Sequence, residues 1–347
     1  MTQTRRMQVL RAVVEDYIHT QDPVGSATLI ERHDLGVSSA TIRKDMAALE
    51  KEGYLAQPHT SAGRVPTELA YRYYVDSLAD GTPRESGNGS LREELGDATS
   101  LQDALQRAAR TLSCRTGQVA LVAAPSLSKS HLWHLELIAV ASHTLLAVVV
   151  TDTGRVAQHI LSVPSLPQDG TLSALADDVN AQCSTLTLRE TAERVRALHP
   201  DGELHPLVDK LATAFDDMAN EEYAHELFTA GVASLAHQRA SATELALLFD
   251  ALEERSVLMR LMSAVGRAPS NWGVGVAIGS ETGTPGLLHA AVVSSGYGMD
   301  PDADGTDPVA FVGSIGPTHM NYGVAMASVH AVARYLTAFL SHDANDR

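Results

Sequence analysis

The stretch SSATIRKDMAALEKEGYLAQPHTSAGRVP, residues 38–66, holds one helical period, one glycine stop and one loop between two prolines. Ser38 is a good helix N-cap and Gly53 a natural residue just past a helix end, so a helix is expected between them. At about 100° per residue, Ile42, Met46 and Leu49 form a narrow apolar stripe. Lys44 lies nearly opposite, Thr41 and Arg43 flank the stripe, and Ala40, Ala47 and Ala48 keep the outer face low. This face suits a helix lying in a major groove, where basic and hydroxyl side chains meet base edges and small ones permit close approach. A solvated face on an ordinary helix has the same composition, so the flanking segments must decide.

Upstream, Leu10, Val13, Val14, Tyr17 and Ile18 recur at the spacing of a helix with one buried stripe, and Asp22-Pro23-Val24-Gly25 breaks it. Ser26 is expected to cap a short second helix, Ala27 to about Arg32, that stops near Gly36. Three short helices joined by tight turns have helix-turn-helix spacing, which favours the groove-binding reading. Ser39, Thr41, Arg43 and Lys44 become the candidates for major-groove contact. Downstream, Tyr54–Gln57 has strand character and Val65 follows Arg64, so PHTSAGR, residues 58–64, reads as the tip of a hairpin, the wing of a winged helix. Gly63 is expected to supply unusual backbone angles there, and Thr60, Ser61 and Arg64 to offer phosphate or minor-groove contacts. A nucleotide-binding loop is the rival, but the glycines of a Walker or dinucleotide motif are missing and no strand–loop–helix frame surrounds it.

The same residues carry a family resemblance. VSSATIRKDMAALEKEGYLAQPHTSAGRVPTELAYRYYVD, residues 37–76, closely resembles the heat-inducible transcription repressor HrcA family, beginning near Met7 with LRAVVEDYIHTQDPVGSATL. VAFVGSIGPTHMNYGVAMASVHAVARYL, near the other end, resembles the family's C-terminal signature, with His319 and Asn321 where the family usually has arginine and aspartate. The resemblance implies a dimeric repressor of chaperone genes that binds an inverted-repeat operator in double-stranded DNA. It also implies a winged-helix head, a GAF-like domain carrying an inserted dimerisation domain, and a chaperonin that keeps the repressor active. A metabolite-responsive winged-helix repressor with a ligand-binding GAF-like domain is the runner-up.

At 347 residues the chain should hold two or three domains, and 44% apolar with 20% charged residues is the composition of a soluble globular protein. The net charge of −16 speaks against nucleic acid until it is divided. Residues 1–78 hold nine basic and ten acidic residues, and the rest hold 17 and 32. A nearly neutral head can bind DNA only if its basic residues gather on one face. No apolar segment follows Met1-Thr-Gln-Thr-Arg-Arg, so no secretory signal is expected. The longest apolar stretch, about Leu135–Val150, contains Glu136 and His143 and reads as a strand pair, not as a membrane span. Cys114 and Cys183 are too few for a disulfide framework and fit a reducing cytoplasm.

Residues 1–79 are thus expected to form the DNA-binding head and 80–92, rich in Pro, Gly and Ser, a linker. Beyond it, Leu101–Leu112 marks a helix, and Val119–Ala123, Leu135–Ala141, Leu145–Thr151 and Val156–Val163 read as strands. Strand patterns return at Gly273–Ile278, Leu287–Ser294 and Val309–Ile315 before a long final helix. Strands interrupted by helices and then resumed suit one antiparallel α+β domain with an insertion. In that reading 93–164 and 241–347 are the two parts of the GAF-like domain, and 165–240 is the mainly helical dimerisation domain. Enzyme chemistry is not expected. His131, His134 and Glu136 lack further metal ligands, Glu222 and His225 form a single copy of a pattern that di-iron bundles need twice, and no nucleophile–base pair is visible. Neither metal nor cofactor is expected. Gly313–Pro317 reads as a strand-to-helix turn with a weaker reading as an anion seat.

Overall fold

The first helix, α1 (Thr2–Thr20), buries Val9, Leu10, Val13 and Val14, the stripe its sequence period dictates. It belongs to a computed structural model that describes residues 2–59, 62–79, 94–96, 98–125, 127, 130–167, 169–198, 204–220, 226–235, 242–268, 272–298 and 308–345. The proposed linker, residues 80–92, therefore lies wholly outside the described residues. Helix α2 (Ser26–Arg32) follows, and its N-cap is Gly25, not Ser26 as the sequence pattern implies. Ser26 is already the first helical residue, and its hydroxyl meets that of Ser39 at 3.1 Å. Helix α3 (Ser39–Lys51) is capped by Ser38, whose hydroxyl accepts from the Thr41 amide, and Gly53 ends it in the left-handed region at φ +83°.

Strands β1 (Leu55–Ala56) and β2 (Val65–Pro66) then form a short antiparallel hairpin, with Leu55 opposite Pro66 and Ala56 opposite Val65. Val24, between α1 and α2, bridges Arg64 through both of its backbone groups at 2.9 Å, adding a third line to the hairpin. Helix α4 (Glu68–Ala79) buries Ala70, Tyr71, Tyr74 and Val75 and leads towards the body.

In the body, α5 (Leu101–Thr116) runs from the Ser100 cap to Gly117 at φ +67°, and β3 (Val119–Ala123) follows it. The chain next builds β4 (Leu132–Ala141), β5 (Thr144–Thr151) and β6 (Val156–Ser162), then α6 (Asp169–Cys183), α7 (Leu188–Arg196) and α8 (His205–Asn220). It returns through β7 (Leu227–Ala230), α9 (Val232–Leu235), α10 (Ala242–Glu253), α11 (Arg255–Gly266), β8 (Val274–Ile278), β9 (Ala290–Tyr297), β10 (Ala310–Pro317) and α12 (Tyr322–Asn345).

The expectation of one resumed sheet is corrected by the topology. Five strands pair antiparallel in the order β7-β3-β10-β9-β8, whereas β4-β5-β6 form a separate three-stranded meander. A meander of consecutive strands needs no distant partner, and its inner face is already covered by α6–α8. Every buried residue of that second core, from Leu127 to Ala219, lies within this one stretch of chain. Residues 93–164 are accordingly divided: α5 and β3 belong with the five-stranded sheet, and β4–β6 with the helices that follow them. The Asn180 side chain stitches the two layers by meeting the amide and carbonyl of Leu135 at 2.7 and 2.9 Å.

The five-stranded sheet is covered on both faces, so its strands read as unbroken apolar runs. Ala120 and Val122 of β3 face one core with α5 and α12, while Val119 and Leu121 face another with α10 and α11. Truncating a wholly buried leucine such as Leu105 or Leu112 to alanine would cost about 2–5 kcal/mol. By length and composition α12 could cross a membrane over Tyr322–Ser341, but Tyr322, Met326, Val329, Val332 and Leu336 are buried in the first of these cores. The head contributes Val9, Leu10, Leu29, Ile42, Leu49 and Tyr71 to that same core, so head and sheet are packed together.

Candidate nucleic-acid interface

Helix α3 turns Ile42, Asp45, Met46 and Leu49 inward and leaves Ala40, Arg43, Lys44 and Ala47 exposed. The apolar stripe fixes this orientation, because rotating the helix would expose three buried side chains. Asp45 was not legible as an inner residue. It is only 4% exposed, and Arg5 of α1 grips both its oxygens, Nε to Oδ2 at 2.9 Å and Nη2 to Oδ1 at 3.2 Å. Asp16, also buried, receives the His33 ring at 3.1 Å and so ties α1 to the end of α2.

The basic residues of the head divide sharply. Arg5 pairs with Asp45, Arg6 with Glu52, Arg11 with Glu15, Arg32 with Asp16, Arg64 with Glu50, and Arg72 with Asp76 and Glu281. Among the described residues, the three head cations without a carboxylate partner are Arg43, Lys44 and Lys51, all exposed on α3. Internal ion pairs thus cancel the charge of the other six and leave one positive line.

Ser39 and Thr41 are half-buried at the start of α3, and the Thr41 hydroxyl lies 3.0 Å from that of Ser38. Thr60 and Ser61, named from the sequence, lie outside the described residues. Gly63 differs from expectation: its φ is not in the left-handed region. Glycine is required instead by space, since a Cβ there would meet the Val24 carbonyl oxygen at 2.4 Å and the Pro23 oxygen at 2.7 Å. Arg64 sits at the base of the hairpin with its guanidinium on Glu50, 2.9 Å from Nε to Oε2, and its side chain is 20% exposed. At the tip, Ala62 donates to the His59 carbonyl, and Gln57 donates to that of Ala62.

The body holds this face in place. Arg72 donates to the Val276 carbonyl at 3.0 Å and to Glu281 at 3.3 Å, and Glu68 accepts from the Ser280 hydroxyl at 2.6 Å. Tyr71 packs on Tyr322 with ring centroids 6.0 Å apart. Loss of water raises the phenol pKa of Tyr71, Tyr322 and Tyr74, the last to about 12, so all three are neutral packing groups at neutral pH. His319 lies edge-on to Tyr17 at 6.5 Å, and the Asn321 side chain accepts from the Val324 amide at 3.2 Å. The two residues thus serve the head–body seam and the start of α12, and sequence reasoning had no signal for either task.

Other candidates disperse. His131 pairs with Asp152, and His134 with Glu136, and no group of three metal-type ligands forms among the described residues. Glu222 and His225 lie outside those residues. Gly313–Pro317 is not a turn but part of β10, where Gly313 allows the Val293 carbonyl to approach within 2.7 Å of where a Cβ would stand.

Residues 102–326 match the family model described as HrcA protein C terminal domain. A heat-inducible transcription repressor HrcA of Bifidobacterium adolescentis is 58% identical over 99% of this chain and 98% of its own length. The chain belongs to the HrcA family. Another heat-inducible transcription repressor HrcA, from Kineococcus radiotolerans, is 41% identical over 98% of this chain and all of its own. A crystal structure of a protein described as hypothetical, at 2.2 Å resolution, has a TM-score of 0.64 at 24% identity, covers 99% of this chain and 98% of its own, and shares the fold. As an HrcA family member the chain is a heat-inducible transcription repressor and not an enzyme.

Proposed function

We propose that the chain binds an inverted-repeat operator in double-stranded DNA as a homodimer, with α3 as the recognition helix of a winged helix-turn-helix. The observation that carries this reading is the confinement of the unpaired head cations, Arg43, Lys44 and Lys51, to the outer side of α3. Arg43 and Lys44 read base edges, Ser39 and Thr41 stand beside them at the helix start, and Ala40 and Ala47 let the groove wall come close. The hairpin is the wing, and its tip, with Thr60 and Ser61, follows the neighbouring backbone or minor groove.

The five-stranded sheet with helices on both faces is the GAF-like domain, and residues 127–220 are its insertion and the dimerising unit. Helices α6–α8, the expected interface, have buried their apolar side chains against β4–β6, so the contact moves to the outer face of that meander. There Ile138, Leu146 and Ile160 stand in register across the three strands, and Ile160 is 68% exposed. An apolar row of this kind on a sheet face fits a second copy, because a palindromic site calls for a two-fold protein.

Dependence on a chaperonin rests on folding order. Strands β4 and β5 pair with each other and need no distant partner. Strand β3 instead pairs with β10 and β7, on the far side of the insertion, and stays unpaired until both arrive. Chaperonin occupied by heat-damaged proteins would then lower the amount of competent repressor.

The test is selection of preferred DNA from a random pool, followed by gel shift with Arg43→Ala/Lys44→Ala. A long inverted repeat is expected, with each base-reading side chain worth about 1–3 kcal/mol. Normal binding by the folded double variant would refute the recognition-helix assignment.

A further inference from the structure

The wing joins the recognition helix through an ion pair whose geometry is at odds with direct DNA contact. Two donors of Arg64, Nε and Nη2, converge on the same Glu50 oxygen at 2.9 Å each. The Arg64 side chain is 20% exposed and that of Glu50 is 34% exposed, so the pair is partly withdrawn from water. The Arg64 backbone is held as well, since its amide and carbonyl both bond Val24 at 2.9 Å. On one side of it, Gly63 has no space for even a methyl group against Pro23 and Val24. On the other, Val65 and Pro66 are paired with Ala56 and Leu55.

Glu50 stands two helical turns after Arg43, and an α-helix returns to nearly the same line over that interval. A bare carboxylate there would face the polyanionic duplex whose base edges Arg43 and Lys44 are meant to read. Arg64 removes that charge and, because its own backbone is rooted in the hairpin, fixes where the wing stands relative to α3.

Resting on the winged-helix reading, we propose that Arg64 is a positioning residue: it neutralises Glu50 and locks the wing to the recognition helix, and it does not itself bind a phosphate. Glu50 is the second half of this device. The two roles make opposite predictions about coupling. A phosphate contact by Arg64 is lost on truncation whatever stands at position 50. A latch is lost only while Glu50 is charged.

The experiment is a double-mutant cycle in the full-length chain, using the operator selected from the random pool and measuring affinity across a range of salt. Arg64→Ala should weaken binding about fivefold, as for a partly exposed pair. The variant Glu50→Gln/Arg64→Ala keeps the net charge of the pair, so it should regain most of that loss and keep the wild-type salt slope. If it regains nothing and its slope is shallower by about one, Arg64 contacts a phosphate and the proposal is overturned. If Arg64→Ala does not fold, by circular dichroism, Arg64→Gln takes its place in the same cycle. Failure of the wild-type chain to select any operator would refute the DNA-binding reading itself, an outcome separate from the coupling result.

Discussion

Removing Arg5 should harm the protein more than removing its partner. Asp45 is 4% exposed and Arg5 is 32% exposed, so the two ends of this pair are differently placed. Arg5→Ala leaves a carboxylate buried beside Ile42 and Met46 with neither of its guanidinium donors. Breaking a fully buried pair by deleting one partner costs about 3–5 kcal/mol. Arg5 is partly solvated and water can reach its vacated place, so the loss should fall below that range while still exceeding that of Asp45→Ala. Asp45→Ala deletes the buried charge itself and leaves Arg5 free to turn to solvent, so about 1 kcal/mol is expected. The double variant should be no less stable than Arg5→Ala alone. Urea unfolding of the full-length chain by circular dichroism measures all three, and the change in midpoint at constant slope gives the ranking. Equal losses from the two single variants, or a larger loss from Asp45→Ala, would show that the pair acts as a surface bridge and that α3 is held by its apolar stripe alone. Operator affinity of Arg5→Ala, measured below its unfolding range, should fall as well, because Asp45 lies on the same helix as Arg43 and Lys44.

Gly63→Ala should cost about 1–3 kcal/mol, because the atoms 2.4–2.7 Å from the new Cβ are backbone and the hairpin must shift. A melting temperature equal to that of the wild type would refute the close-approach argument. Burial lowers the pKa of His330 in the folded chain, opposed by a hydrogen bond that the ring donates to the Trp272 backbone and assisted by Arg334. The neutral ring therefore contributes stability above its unfolded pKa, about 6.5, and that stability is lost as pH falls through the lower folded value. His330→Gln should flatten this part of the pH–stability curve, and parallel curves would count against it. Ile160→Lys, on the exposed row of the meander, should shift sedimentation from dimer to monomer while circular dichroism stays unchanged; a dimer that persists would move the interface elsewhere.

The local features of the head were legible because their causes are local. The period of Ile42, Met46 and Leu49 sets the inner face of α3, Ser38 and Gly53 bracket it, and two prolines mark the hairpin. Composition and residue order alone also separated a nearly neutral head from an acidic body, and the quoted motifs pointed to the family. Strand positions in the body were likewise readable to within a few residues, since apolar runs and turn residues are properties of short windows, except for β7, which lies in the stretch 165–240 that was read as mainly helical.

What the sequence left open depends on which segments meet. A strand pattern carries no record of its partner, so β4–β6 and β8–β10 looked like parts of one sheet until pairing and cores separated them. Gly63 looked like a conformational glycine, and its real constraint, the backbone of Pro23 and Val24, comes from a segment some forty positions earlier. Arg64 looked like a free cation beside DNA, and only the packing of the hairpin on α3 brings Glu50 within 2.9 Å of it. Charge can be counted in a sequence, but which charges cancel is a matter of distance. The tertiary structure cancels six of the nine basic residues in the head and leaves three on one helix, because Coulomb attraction falls with separation in space and not along the chain.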